Sequence, residues 1–151
     1  MDAMPNLIDL SFLIPLSPLI SAFIIAILLA SFNRTMNRLT KPVSFLLINS
    51  IVISTSYSAL LFFKHVSGAL ELNPLGFINK NLGIVLILNN SSEISAISIG
   101  LIALLIMFIS YNKLPRSKGY VLYLTSISSV FGLLFIFILS NNFLKIIPFN
   151  F

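Results

Sequence analysis

Polar positions along the chain are gathered into short breaks between four long apolar runs. These are "LSFLIPLSPLISAFIIAILLASF" at 10–32, "VSFLLINSIVISTSYSALLFF" at 43–63, "ISAISIGLIALLIMFISY" at 94–111 and "YVLYLTSISSVFGLLFIFIL" at 120–139. Each is long enough to cross a hydrocarbon layer of about 30 Å. A backbone inside lipid has no water to bond, so each run is expected to be a helix. Pro15 and Pro18 fall near one end of the first run, where a missing N–H does least harm, and Pro42 stands at the entry to the second. Between the second and third runs, the segment 64–93 contains "LNPLGFINKNLGIVLILNNSSE". Asn73-Pro74 and Gly76 are turn signals, and "GIVLIL" is β-branched and too short to span. The pattern predicts an all-α integral membrane fold, with four transmembrane helices and a short external hairpin-like segment between the second and third. It forms one membrane domain over 1–151, closed by a stub at 140–151. The N-x-x-E spacing of Asn90 and Glu93 predicts a capping box that starts the third helix at about residue 91.

Composition agrees with this pattern. Of 151 residues, 58% are hydrophobic and 9% charged, against about 25% charged in a soluble domain. The absence of cysteine removes disulfides and thiolate chemistry, and a single histidine, His65, excludes a multi-histidine metal or haem site. The first run reads as a retained helix. It is longer than the roughly 7–15 residues of a signal-peptide core, and acids, Asp2 and Asp9, precede it where a signal carries positive charge.

Charge then gives direction. Loop 33–42 holds Arg34, Arg38 and Lys41, and loop 112–119 holds Lys113, Arg116 and Lys118. With four spans these loops share a side, and the other side holds Lys64, Lys80 and Lys145 with all four acids. The positive-inside rule places the two basic loops in the cytoplasm and the N-terminus outside. The net charge of +5 is thereby a matter of topology, with no nucleic acid as a partner.

Candidate chemistry is sparse. Within the four runs there is no Asp, Glu, Lys, Arg or His. Such residues mark proton relays and ion pathways, and one at a span centre costs about 2.5–3.5 kcal/mol to insert. No catalytic residue, metal ligand or cofactor site is therefore expected. What the runs contain is small and hydroxylic faces. Ser50, Ser54, Tyr57 and Ser58 fall on one side of the second helix, and Thr125, Ser128, Ser129 and Gly132 form a similar stripe on the fourth. Ser50, Ser54, Ser58, Thr125, Ser129 and Gly132 are accordingly helix-packing candidates; a water-lined path is the other reading of the same stripes. His65 is expected to be a solvated interfacial residue rather than a proton relay, and the tyrosines lie mostly near span ends, as an aromatic belt would.

Several stretches resemble one family. "FLIPLSP" at 12–18, "SFNRTMNRLTKPVS" at 31–44, "ALLIMFIS" at 103–110 and "GYVLYL" at 119–124 are similar to the N-terminal part of the antiporter-like chain 5 subunit of NAD(P)H–quinone oxidoreductase (complex I), in its cyanobacterial and chloroplast form. The resemblance implies an N-terminus outside, an external hairpin before the third span, and a thylakoid or plasma membrane location. It also implies other membrane subunits of a complex I-like oxidoreductase as partners, with the redox cofactors held elsewhere. Two departures follow from the same resemblance: the family's Asp before the third span falls at Asn89, and the Glu of its fifth helix falls at Phe151. The expectation is a short membrane component or accessory, associated with respiratory or photosynthetic electron transport and truncated before the proton-channel helices. The alternatives are a small four-helix scaffold or assembly protein, or a nonfunctional truncated paralogue.

Overall fold

The computed structural model describes residues 7–72 and 84–140. The turn signals at Asn73-Pro74 and Gly76 and nearly all of the stub at 140–151 lie outside the described residues. A 3-10 turn, Leu10–Phe12, leads into helix α1 (Leu13–Ser31). A short helix α2 (Asn33–Arg38) turns the chain into α3 (Thr40–Phe63). Strands β1 (Gly68–Leu72) and β2 (Ile84–Leu88) follow, then α4 (Asn90–Lys113) and α5 (Tyr120–Leu139). The four long helices are each apolar and long enough to cross a membrane. The last matches its apolar run, the first is a few residues shorter, and the middle two are extended by polar residues at their ends.

Helix α1 packs against α3 and α5, α4 packs against the same two, and α3 and α5 also meet across the bundle. One cluster of buried residues, including Leu47, Ile51, Met107 and Leu124, fills the half nearer the basic loops. A second, including Ile14, Leu61, Leu86, Ala96 and Phe135, fills the half nearer the strands. The outward faces are no less apolar: Phe23, Phe45 and Phe63 are 67%, 73% and 77% exposed. In water such a surface would aggregate; in hydrocarbon it costs nothing.

The strands pair antiparallel, with Gly68 opposite Leu88 and Leu72 opposite Ile84. Leu86 and Leu88 are buried against the bundle end, and Leu86 bridges to Ser140, so the hairpin caps that end as a lid of apolar side chains. The expected hairpin is therefore present.

Three termini show how local chemistry fixes the bends. Helix α3 ends in a Schellman motif: Val66 N–H bonds the Leu61 carbonyl at 3.2 Å and His65 N–H the Phe62 carbonyl at 3.1 Å. His65 occupies the left-handed position, φ 49°, that usually takes glycine. Helix α5 begins at Gly119, whose φ of 96° few other residues adopt. The start of α4 corrects the sequence reading. The N-cap is Asn89, not Asn90, and its N–H donates to Ser92 Oγ at 2.9 Å. Ser92 thus takes the role expected of Glu93, because its short side chain reaches back while the next position turns inward. Glu93 is consequently inside helix α4 and fully buried, on the same face as Ala96, Gly100, Ala103 and Met107.

Candidate functional site

The feature that joins the helices is a seam of hydroxyls between α1 and α3, and it begins with a proline. Pro18 lies inside α1 and has no N–H for the carbonyl of Ile14, four residues earlier. That carbonyl is taken by Ser54 Oγ from α3, at 2.6 Å. Ser17 Oγ stands 2.8 Å from Ser54 Oγ and 2.7 Å from the Ser50 carbonyl. One turn on, Ser21 Oγ sits 2.9 Å from Ser50 Oγ and 3.0 Å from the Pro18 carbonyl, while Ser50 Oγ donates to Leu47. The Pro18 carbonyl also receives Ser128 Oγ of α5 at 3.3 Å, so one proline turn is tied to two neighbouring helices.

Glycines complete the contacts. A Cβ on Gly132 of α5 would come within 2.6 Å of Leu19 Cγ on α1. A Cβ on Gly100 of α4 would lie 1.8 Å from Thr55 Cγ2 on α3. Both helix pairs therefore approach too closely for any larger residue without rearrangement. Near the basic loops, Ser44 Oγ donates to the Thr40 carbonyl and lies 3.2 Å from the Tyr120 hydroxyl. At the hairpin end, Tyr57 donates to the Leu7 carbonyl at 2.8 Å.

The residues picked out in sequence divide into two groups. Ser50 and Ser54 bond across helices, and Gly132 makes a close approach. Ser58 and Thr125 are buried but return their hydroxyls to their own helices, at Ser54 and Val121. Ser129 does the same at Ser126 and is only half-buried; its neighbour Ser128 is the inward one. Sequence reasoning did not single out Ser17, Ser21, Thr55 or Gly100. Two of them carried a usable signal, Ser17-x-x-x-Ser21, a pair of small residues one turn apart.

Two polar groups remain anomalous. Among the described residues, wholly buried Glu93 has no hydrogen-bond partner on either carboxylate oxygen, and neither has the buried hydroxyl of Ser11. Asn49 is the opposite case. It lies nine residues into α3, about 14 Å along the axis, and it is exposed on the lipid-facing side. Its carboxamide makes no hydrogen bond among the described residues. It borders a groove of about 280 Å³ between α1 and α3, whose walls include Leu16, Ile20, Leu46 and Ile53. Among the described residues, no three His, Cys, Asp or Glu side chains come together.

No family model matches the chain. Over 148 residues it is 30% identical to the NAD(P)H-quinone oxidoreductase subunit 5, organellar chromatophore 1, of Paulinella chromatophora. The alignment covers 94% of this chain and 22% of that protein, so the chain spans about a fifth of the length of the curated relative it matches. The similarity is distant, and it extends along nearly all of this four-helix membrane chain.

Proposed function

We propose that the chain is a membrane component of a complex I-like NAD(P)H–quinone oxidoreductase, held there by helix packing against other membrane subunits. The observation that carries this reading is the 30% identity to a subunit 5 along 94% of the chain. The unpartnered carboxamide of Asn49 supports it. An amide facing hydrocarbon is costly, and a neighbouring transmembrane helix offering a donor or acceptor removes that cost. The serine seam, on this reading, holds α1, α3 and α5 in the arrangement that presents the groove. Its hydroxyls serve packing rather than a water path, since each takes a protein carbonyl or hydroxyl as partner. The charge distribution supports an N-terminus outside and basic loops in the cytoplasm, and the similarity to a subunit 5 supports a thylakoid or plasma membrane as the location.

Co-purification tests the proposal. A tagged chain, solubilised gently and run on a native gel, is expected to migrate with the large oxidoreductase and to bring its membrane subunits with it. Migration only as a small species, or with unrelated proteins, would reject it.

A further inference from the structure

We infer that the basic end of the bundle holds a binding site for a phosphate-bearing anion, supplied by the headgroup of an anionic membrane lipid. A pocket of about 620 Å³ opens there between α2 and the start of α5. Arg34 and Arg38 line it from α2 and Lys118 lines it from the loop before α5. The two arginines are four residues apart on one helix face, an arrangement that repels by about 0.2–0.5 kcal/mol when nothing lies between them. Lys118 adds a third charge from across the pocket. No carboxylate lines the pocket, and neither loop 33–42 nor loop 112–119 contains one. Among the described residues none of the three cations has an ion pair. By contrast, Arg116, in the same loop as Lys118, is occupied, stacked 5.0 Å from the centre of the Tyr111 ring.

Three cations lining one pocket without a counter-charge match a phosphate, which an arginine fork grips with two parallel hydrogen bonds. Asn33, Asn37 and Gly119 also line the pocket, and its two leucines identify the source. Leu29, in the last turns of α1, and Leu122, in the first turn of α5, supply apolar wall where the helices enter the hydrocarbon. A free phosphate has no use for that wall; a glycerophospholipid lays its acyl chain along it while its headgroup meets the arginines. Basic pockets between helices at the cytoplasmic surface are suited to this kind of ligand. The inference does not depend on membership of any oxidoreductase.

The test uses the full chain purified in mild detergent and titrated with phosphatidylglycerol, phosphatidylcholine or inorganic phosphate, with retained ligand counted by native mass spectrometry. Wild type is expected to retain one phosphatidylglycerol, in preference to phosphatidylcholine. The double variant Arg34→Gln/Arg38→Gln should bind it about 25-fold more weakly, about fivefold per charge. Arg34→Lys/Arg38→Lys, which keeps the charge, should stay within about fivefold of wild type, which separates a lost site from a lost fold. The charge-matched double Lys113→Gln/Arg116→Gln, outside the pocket, should lose less than the pocket double, because the attraction falls off within a Debye length. Equal losses in the two glutamine doubles would mean diffuse surface charge and overturn the site. Equal retention of phosphatidylcholine would overturn it as well. Retention of inorganic phosphate as tight as that of the lipid would keep the phosphate site and reject the lipid as its source.

Discussion

The contact between Ser54 and Ile14 allows a sharp test of why these helices pack as they do. In most transmembrane helices a serine hydroxyl has an easy alternative on its own backbone, which is why interhelical bonds average only about 0.6 kcal/mol. The Ile14 carbonyl is different, because Pro18 has removed the N–H that would otherwise hold it. Ser54→Ala leaves that carbonyl without its 2.6 Å partner, while the nearby Ser17 hydroxyl is held by the Ser50 carbonyl. The loss is therefore expected at the upper end of the measured range, about 1–2 kcal/mol. Ser17 suffers little, since the Ser50 carbonyl at 2.7 Å remains available to it.

Replacing the proline reverses the situation. In Pro18→Ala the new N–H at position 18 satisfies Ile14 from within α1, and Ser54→Ala should then cost about 0.5 kcal/mol or less. The two changes should couple by about 1 kcal/mol in a double-mutant cycle, well beyond the 0.3–0.5 kcal/mol scatter, roughly, of independent sites. Equilibrium unfolding of the purified chain in mixed micelles, for wild type, both single variants and the double, supplies the four free energies. If Ser54→Ala costs the same with and without Pro18, the seam is not organised around the freed carbonyl.

Four further outcomes are expected. Gly100→Ala should destabilise the bundle by about 1–3 kcal/mol through overpacking, and Thr55→Ser, which removes the methyl 1.8 Å from the added carbon, should restore most of the loss in the same unfolding assay. His65→Gly should stabilise by about 0.5–1 kcal/mol, the left-handed penalty of about 1–2 kcal/mol less the extra chain entropy of glycine; a melting temperature that falls would show that the tilted contact of the imidazole with the Phe62 ring, 6.3 Å between centroids, outweighs the backbone gain. Glu93→Met should raise stability by about 1–3 kcal/mol, since a partnerless buried carboxyl is replaced by an apolar group of similar length; a fall would mean that Glu93 has a partner. Asn49→Leu should leave the isolated chain as stable as wild type within about 0.5 kcal/mol and abolish co-migration with the oxidoreductase on native gels. Unchanged co-migration would remove the groove as the docking face.

The four helices could be read from sequence because hydrocarbon imposes one demand on any spanning segment, a run of apolar residues, and it leaves its mark on every turn. The same demand hides which face points inward. Phe23 and Phe45 face lipid while Phe135 is fully buried, and nothing in their local sequence separates them. Small and hydroxylic residues carry part of the missing information. Within the α5 stripe, Ser128 and Ser129 differ by about 100° around the axis, and only Ser128 reaches Pro18. The start of α4 failed for a similar reason. Asn89, Asn90, Ser91 and Ser92 are all good capping residues, so the sequence permits several registers. The hairpin decides among them: β2 ends at Leu88, which is buried, and Asn89 becomes the cap.

That choice of register has a consequence for the membrane end of the molecule. A cap at Asn90 with Glu93 reaching back would have spent the carboxylate on a backbone N–H at the surface. With the cap at Asn89, Ser92 Oγ accepts the Asn89 N–H, and the Glu93 carboxylate, on the stripe that ends at Ser110, has no cap N–H to accept. One residue of shift therefore exchanges a solvated cap for a buried, partnerless acid, at a cost that the rest of the fold must offset. What offsets it is the sheet. The burial of Leu86 and Leu88 under the bridge to Ser140 is worth about 1.5–3 kcal/mol per side chain, and it is lost if β2 slips by one residue, because a slip turns both leucines outward. Glu93→Gln combined with Leu86→Asn should therefore move the N-cap of α4 from Asn89 to Asn90, whereas Glu93→Gln alone should not. Amide hydrogen exchange at position 93, whose N–H bonds the Asn89 carbonyl at 2.9 Å, reads the difference: protected in the single variant, faster in the double. Protection in both would mean that the helix start is set by the Asn-Asn-Ser-Ser run itself and not by the sheet that precedes it.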